Sequence, residues 1–222
     1  YTSASEEHAA VREAAGLFDI GHMGLLEFTG PEHLDFLDMV STAKVEDVAV
    51  GRCRYAFVLD PDGLPVDDVI FYHVAPDRFL AVVNAANASK VWSWLTDVAA
   101  GDAPADTEGP TGGREFDVAL RDLTAPSAED HRLTGMALQG PVSAQVLGEL
   151  TGGSFDLLAL DRFSVTDTDL LGASAMISRT GYTGEPVGCE IFVLPHEAPR
   201  IWRAILDAGE AAGVRPSGLA AR

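Results

Sequence analysis

The sequence has 222 residues, of which 47% are hydrophobic and 22% charged, a composition typical of a globular protein with one large domain or two small ones. The formal net charge of −19 leaves too few clustered basic residues for binding to a nucleic-acid backbone, and no apolar run approaches the roughly 18 residues of a membrane span. Cys53 and Cys189 form no metal-binding pattern, so we expect no metal site and a reduced, cytoplasmic setting.

The N-terminal segment predicts a helix. Ser3 is followed three residues later by Glu6, the spacing of a capping box, and an amphipathic stretch comes directly after it. We therefore expect residues 1–22 to form an N-terminal helix that packs on the core.

A sequence pattern then occurs twice, 110 residues apart. Residues 24–37 and 135–150 each combine a strand, a Gly-Pro pair and an amphipathic helix. Further along, Trp92 and Trp202 lie in similar helical segments at the same offset. Two matches in one register favour a tandem duplication, and we expect the two units to be related by pseudo-twofold symmetry.

Each copy combines strands joined by hairpins with helices, which is typical of an α+β fold with helices on one face of each sheet. The first unit is predicted at 23–105 and the second at 132–222, with a linker and connecting strand at 106–131. The predicted strands are 24–30, 54–60, 66–74 and 78–84 in the first unit, and 134–139, 162–168, 173–180 and 189–194 in the second.

Asp68 lies in the strand "LPVDDVIFYHV". Because side chains alternate along a strand, Asp68 shares a face with mostly apolar residues, whereas Asp67 points to the other face and is expected to matter less. Two interpretations stay open: a carboxylate that bonds to turn amides, or one that acts as a base or binds a cationic nitrogen. The 110-residue offset places Ser178 opposite Asp68, so only the first copy has this acid.

The segment "TGYTGEPVG", residues 180–188, joins two predicted strands. Its glycines are compatible with an ordinary hairpin loop or with an anion cradled by backbone amides, although it lacks the spacing of a phosphate-binding loop. It carries Tyr182, and the returning strand carries Glu190. Cys189 is expected to be a small core residue.

Six segments of the sequence, in this order, resemble the aminomethyltransferase (T-protein) family of the glycine cleavage system and its relatives. This family has a folate-binding α+β fold of two pseudo-symmetric ferredoxin-like units side by side, followed by a β-rich C-terminal domain. The resemblance implies that the chain is a part of a longer protein. The matching segments are residues 6–37 with "LFDIGHM", 51–74 with the Asp-Asp pair, 78–92, 137–147, 179–193 with "GYTGE", and 217–222 with "GLAAR".

The resemblance also assigns candidate site residues. Asp68 matches the carboxylate that lies beside the reacting nitrogens of tetrahydrofolate, which makes it the catalytic candidate. The positions that match folate-binding residues of the family are Tyr55, Asn84, Tyr182, Glu190 and Arg222.

By resemblance, the full protein would move a one-carbon unit from an aminomethyl group on a lipoyl carrier protein of the H-protein type to tetrahydrofolate, with release of ammonia. Alternatives are a related tetrahydrofolate-dependent demethylase, a folate domain linked to an amine oxidase, and a non-catalytic folate-binding protein of iron–sulfur maintenance. The last type carries a cysteine before the loop tyrosine. The segment "SRTGYTGEP" has none, which favours the enzyme.

Overall fold

The computed structural model describes residues 2–103 and 113–222; the part of the predicted linker at 106–112 lies outside the described residues. The chain divides into two compact units. One is Met23–Glu129, and the other combines the residues up to His22 with Asp130–Arg222.

The helices are α1 (Ala4–Glu13), α2 (His33–Val40), α3 (Ala88–Ala99), α4 (Ser143–Leu150) and α5 (Ala198–Gly209). The strands are β1 (Gly16–Asp19), β2 (Gly24–Thr29), β3 (Cys53–Leu59), β4 (Pro65–Ala75), β5 (Arg78–Val83), β6 (Ala119–Asp122), β7 (Thr134–Gln139), β8 (Val165–Leu170), β9 (Ala173–Ser178), β10 (Gly188–Val193) and β11 (Arg215–Pro216).

The unit Met23–Glu129 contains an antiparallel five-stranded sheet of order β3-β4-β5-β2-β6. Alternate residues of its strands, such as Val69 and Phe71 of β4, pack with the apolar side chains of α2 and α3. Val91 and Leu95 are fully buried in this core because they repeat at helical spacing. The opposite face of β4 carries Asp68.

The second unit contains a six-stranded sheet of order β11-β1-β7-β10-β9-β8, in which only the β1–β11 pair is parallel. Ile177 and Ile191 pair across β9 and β10 and pack with Ile201 and Ile205 of α5. All six residues of β10 are buried, so this strand, which carries Glu190, lies at the centre of the unit.

The α+β prediction is confirmed, and the repeat is visible in the element bounds. The elements β2, α2, β5 and α3 each begin and end 110 residues before β7, α4, β10 and α5. Trp92 and Trp202 therefore occupy the same position in α3 and α5, and both are half-buried.

The offset changes, however, in the strand that carries Asp68. Ala81 of β5 pairs with Phe71, whereas its counterpart Ile191 pairs with Ile177, which lies only 106 residues after Phe71. The segment between the paired positions is four residues longer in the second copy. The counterpart of Asp68 is thus Ser174, and the expectation of Ser178 was wrong.

The strand that precedes each copy in the sequence pairs with the sheet of the other copy. β1 precedes the first copy in sequence but pairs with β7, whereas β6 precedes the second copy and pairs with β2. Asp19 at the end of β1 accepts the N–H of Gly21 at 2.9 Å, and Asp122 at the end of β6 accepts that of Thr124 at 2.8 Å. The similar turns identify β1 and β6 as equivalent strands.

This exchange corrects the predicted unit boundaries. Residues 1–22 form more than a packed helix, because they also supply β1 to the second sheet. Likewise, the first unit does not end at 105, because β6 from the predicted connecting segment completes its sheet. The predicted capping box of α1 is present, since the Ser3 hydroxyl accepts the N–H of Glu6 and the Glu6 carboxylate accepts that of Ser3.

The glycines of the two Gly-Pro pairs allow the exchanged strands to enter their sheets. Gly140 has φ +140°, and a Cβ there would lie 2.5 Å from the carbonyl oxygen of Ala14, just before β1. At the equivalent Gly30, with φ +104°, a Cβ would lie 2.8 Å from the carbonyl oxygen of Asp117, just before β6. Only glycine fits both the backbone conformation and the close approach.

We predict that Gly140→Ala destabilises the chain by about 1–3 kcal/mol or more, because it adds backbone strain and a backbone clash. Gly148→Ala in α4 is the matched control. A Cβ there meets only Phe155 O at 3.9 Å, so this change should stabilise the helix by about 0.5–1 kcal/mol. Urea unfolding of both variants measures the effects. Equal stability of the two would contradict the close approach at Gly140.

Candidate functional site

Asp68 is held by two side chains within the unit Met23–Glu129. The hydroxyl of Tyr55 donates to its Oδ2 at 3.2 Å, and Nδ2 of Asn84 donates to its Oδ1 at 2.9 Å. Tyr55 comes from β3, the neighbour of β4, and Asn84 directly follows β5 on the other side. The structure therefore brings three of the sequence-predicted site residues together, and Asp68 remains partly exposed among them.

Asp67 points to the other face, as strand alternation requires, but it is only 4% exposed and reaches the same asparagine. Its Oδ2 accepts the backbone N–H of Asn84 at 2.9 Å, and its Oδ1 accepts Nδ2 of Asn84 at 3.0 Å. Nδ2 of Asn87 donates to the same Oδ1 at 2.6 Å. The two adjacent carboxylates are thus joined through one amide, which the sequence did not indicate.

Tyr55 presents an aromatic surface beside the carboxylate. Its side chain is 44% exposed, and its ring lies edge-on to Phe57 with centroids 5.5 Å apart. Partial desolvation and the negative charge of Asp68 raise the pKa of Tyr55 above its usual value, so the phenol stays protonated and donates. An exposed ring next to an oriented acceptor suits a flat ligand that carries N–H groups.

In the second unit, the loop at 179–187 is organised by Gln139 at the end of β7. This side chain is 2% exposed, and its Nε2 donates to the carbonyl oxygens of Thr180 and Cys189, each at 3.1 Å. Its Oε1 accepts the hydroxyl of Thr183 at 3.0 Å. A Cβ on Gly181 or on Gly188 would lie 2.1 or 2.7 Å from the amide group of Gln139, so a larger residue at either position would displace this side chain.

Glu190 is 2% exposed and lies on the face of β10 that is not packed on α5. It accepts a hydrogen bond from the hydroxyl of Thr180, whose oxygen lies 2.6 Å from Oγ of Ser178. About a third of the surface of Tyr182, at the tip of the loop, is exposed.

Cys189 is fully buried, and burial together with the neighbouring Glu190 raises the pKa of its thiol to about 12, so it is an inert core residue.

Helix α1 contacts both the loop and the C-terminal segment of this unit. Arg12 pairs with Glu185 in the loop. Glu7 accepts the N–H of Gly218 at 2.8 Å, and Nδ1 of His8 lies 3.0 Å from the carbonyl oxygen of Ala221. Arg222 follows directly and is exposed. These contacts fix the backbone that leads to Arg222.

Metal-ligand clusters and membrane-spanning helices are both absent from the part of the chain that the structure describes. No group of three or more His, Cys, Asp or Glu side chains there is placed to hold a metal ion. Within residues 2–103 and 113–222, no helix is long and apolar enough to cross a membrane.

The fold is a duplicated α+β domain, and the sheet of each unit carries a candidate carboxylate, Asp68 in one and Glu190 in the other. A crystal structure titled glycine cleavage system aminomethyltransferase T from Bartonella henselae is similar, with a TM-score of 0.79 and 29% identity over 99% of this chain and 52% of that one. A chain of the heterotetrameric sarcosine oxidase from Corynebacterium sp. U-96 shares the fold, with a TM-score of 0.59 and 17% identity over 96% of this chain and 93% of that one.

Residues 1–222 match the GCVT N-terminal domain, and the chain belongs to this family. Its curated relatives include proteins named aminomethyltransferase. Those of Bacillus subtilis and Symbiobacterium thermophilum are 40% and 38% identical over all of this chain and 55% of their own length. The one from Saccharopolyspora erythraea is 36% identical over 54% of its length. The chain thus spans about half the length of the curated relatives it matches.

We predict that Gln139→Leu destabilises the chain by about 2 kcal/mol or more, because it leaves two buried carbonyls and a hydroxyl without their partner. Gln145→Leu, on the exposed face of α4, is the control and should have little effect. Urea unfolding gives the stability, and trypsin cleavage after Arg179 reports loosening of the loop. Unchanged cleavage in Gln139→Leu would show that Gln139 does not order this loop.

A second prediction concerns pH. The N–H groups of Gly218 and Thr2 lower the pKa of Glu7 in the folded state. The stabilisation from Glu7 is therefore present above the usual glutamate pKa of about 4.3 and is lost as pH falls through the folded-state value. We expect the stability difference between wild type and Glu7→Gln in urea unfolding to shrink between pH 7 and pH 3.5. The exposed Glu13 provides the control variant Glu13→Gln, and a constant difference for Glu7→Gln would contradict the prediction.

Proposed function

We propose that the full-length protein is a tetrahydrofolate-dependent aminomethyltransferase of glycine cleavage. It would move a one-carbon unit from an aminomethyl group on the lipoyl arm of a carrier protein to tetrahydrofolate, and release ammonia. The observation that carries the proposal is the partly exposed Asp68 carboxylate, oriented by Tyr55 and Asn84. Relatives named aminomethyltransferase at 36–40% identity support the choice of reaction.

The types of candidate residue in each unit suit the chemical groups of a reduced pterin. Such a ring is flat and carries an amino group and an amide N–H on one edge, so it needs oriented acceptors and an aromatic contact. Glu190, positioned on a central strand and fixed by Thr180, is suited to accept from this edge. Tyr55 and Tyr182 both expose aromatic surface for stacking. Arg222 would supply a cation for a carboxylate of the folate.

Asp68 would act through its charge. The transferred carbon exchanges its bonds to the ammonia nitrogen and to the lipoyl sulfur for bonds to two nitrogens of the folate, and the two protons that these nitrogens lose go to the leaving ammonia and the leaving thiolate. Positive charge develops on the carbon as a leaving group departs, and a fixed carboxylate stabilises that charge. The carboxylate can also accept the proton that the attacking nitrogen loses. Its two hydrogen bonds hold it in place before the reaction, which lowers the cost of reorganisation.

The proposed partners follow from this reaction: folate and a lipoyl carrier protein of the H-protein type, with no nucleic acid and no membrane involved. The proposed location is the cytoplasm, where the two free and buried cysteines would stay reduced.

The test uses the full-length protein. Asp68→Asn should lower one-carbon transfer to tetrahydrofolate by two to four orders of magnitude, as is typical of a positioned charged group, and leave folate binding largely intact. Asp62→Asn, at an exposed position in the neighbouring turn, is the matched control and should retain activity. Glu190→Gln and Tyr182→Ala should instead weaken folate binding in calorimetry. Failure of the wild-type protein to bind reduced folate would refute the proposal.

A further inference from the structure

Asp67 has no role in the proposed function, yet it is the more deeply buried of the two adjacent carboxylates. Its partners are N–H groups from Asn84 and Asn87. Within the described residues, no basic side chain pairs with it. A buried carboxylate is costly to retain unless its oxygens are well satisfied, and three N–H donors suit the charged form, which only accepts.

We infer that Asp67 is a positioning residue, which sets the orientation of Asp68 through Asn84. This inference rests on the proposed function for the role of Asp68. The two oxygens of Asp67 hold Asn84 at two points, the backbone N–H and Nδ2. The same Nδ2 then donates to Oδ1 of Asp68 at 2.9 Å and lies 3.1 Å from its carbonyl oxygen.

Charge dictates which end of the Asn84 amide faces Asp68. Both carboxylates can only accept hydrogen bonds, so Asn84 must present its NH₂ group to both. If Asp67 were an asparagine, its own NH₂ group would compete with these donors. In the Asp67→Asn variant, the amide of Asn84 could turn so that its oxygen accepts from the new NH₂ group. This oxygen would then also face Asp68, which would lose a hydrogen-bond donor and gain a second acceptor beside it.

Substitution of Asn87 distinguishes a positioning role of Asp67 from a purely structural one. Asn87 donates to Oδ1 of Asp67 and directly precedes α3, so it helps to order the same turn. Among the hydrogen bonds of the described residues, none joins Asn87 to Asp68. Asn87→Ala therefore removes one partner of Asp67 without changing the bond between Asn84 and Asp68.

The experiment measures kcat, KM and reduced-folate affinity for full-length variants. Asp67→Asn should lower kcat by about 10- to 100-fold, the range expected for a misplaced reacting group, with a change in folate Kd of less than about threefold. Asn87→Ala should lower the melting temperature but keep kcat within about twofold of wild type. Wild-type kcat in Asp67→Asn would overturn the inference and leave the proposed function standing. Absence of turnover in wild type would overturn both.

A double-mutant cycle tests the route through Asn84. In the Asn84→Ala background, Asp67→Asn should cause no further fall in kcat, because the connection is already broken. The same loss in both backgrounds would contradict the inference.

Poor folding of Asp67→Asn does not prevent a test. A crystal structure of the wild-type protein with reduced folate should then show Nδ2 of Asn84 within hydrogen-bond distance of both carboxylates. Contact with only one of them would overturn the inference.

Discussion

The pairing of β6 on β2 and of β1 on β7 is the constraint on which both sheets depend. Without these strands, β2 and β7 would be open edges with unpaired backbone groups, even though they carry the Gly-Pro turns that lead into α2 and α4. The backbone that leads into β6 passes close to Gly30, and the backbone that leads into β1 passes close to Gly140. The exchanged strands can therefore pair only because these two positions are glycines with positive φ. A unit of structure is therefore not a unit of sequence. Each sheet needs a strand from outside its own copy.

Much of this fold follows from local patterns. Helical spacing and strand alternation gave the central elements and the face on which Asp68 lies, because these patterns depend only on neighbouring residues. The exchange of β1 and β6 could not be predicted in this way. Both strands have four residues, too few for a clear period, and their partners are distant in sequence. The counterpart of Asp68 was misassigned for a related reason, since a fixed offset ignores the longer loop before β10.

The candidate site shows a similar division. The resemblance selected Tyr55 and Asn84, and the structure places both on Asp68. The importance of Asp67 was underestimated, because strand alternation predicts the face on which a side chain lies but not the residues that it contacts there. Gln139 had no signal at all, since a single glutamine at a strand end is unremarkable in sequence. Its amide group packs against Gly181 in the loop and Gly188 at the start of β10, which gives these glycines a structural role without a bound anion.

The two candidate acids, Asp68 on β4 and Glu190 on β10, suit N–H groups of a ligand, whereas Arg222 is the one cation among the candidate residues. Two adjacent acids in one strand would repel each other if both faced the same solvent. Strand alternation sends them to opposite faces, and the amide of Asn84 supplies N–H groups to both. One carboxylate is then buried and fixed while its neighbour stays partly exposed, an arrangement in which the exposed charge is oriented without a permanent cation to neutralise it.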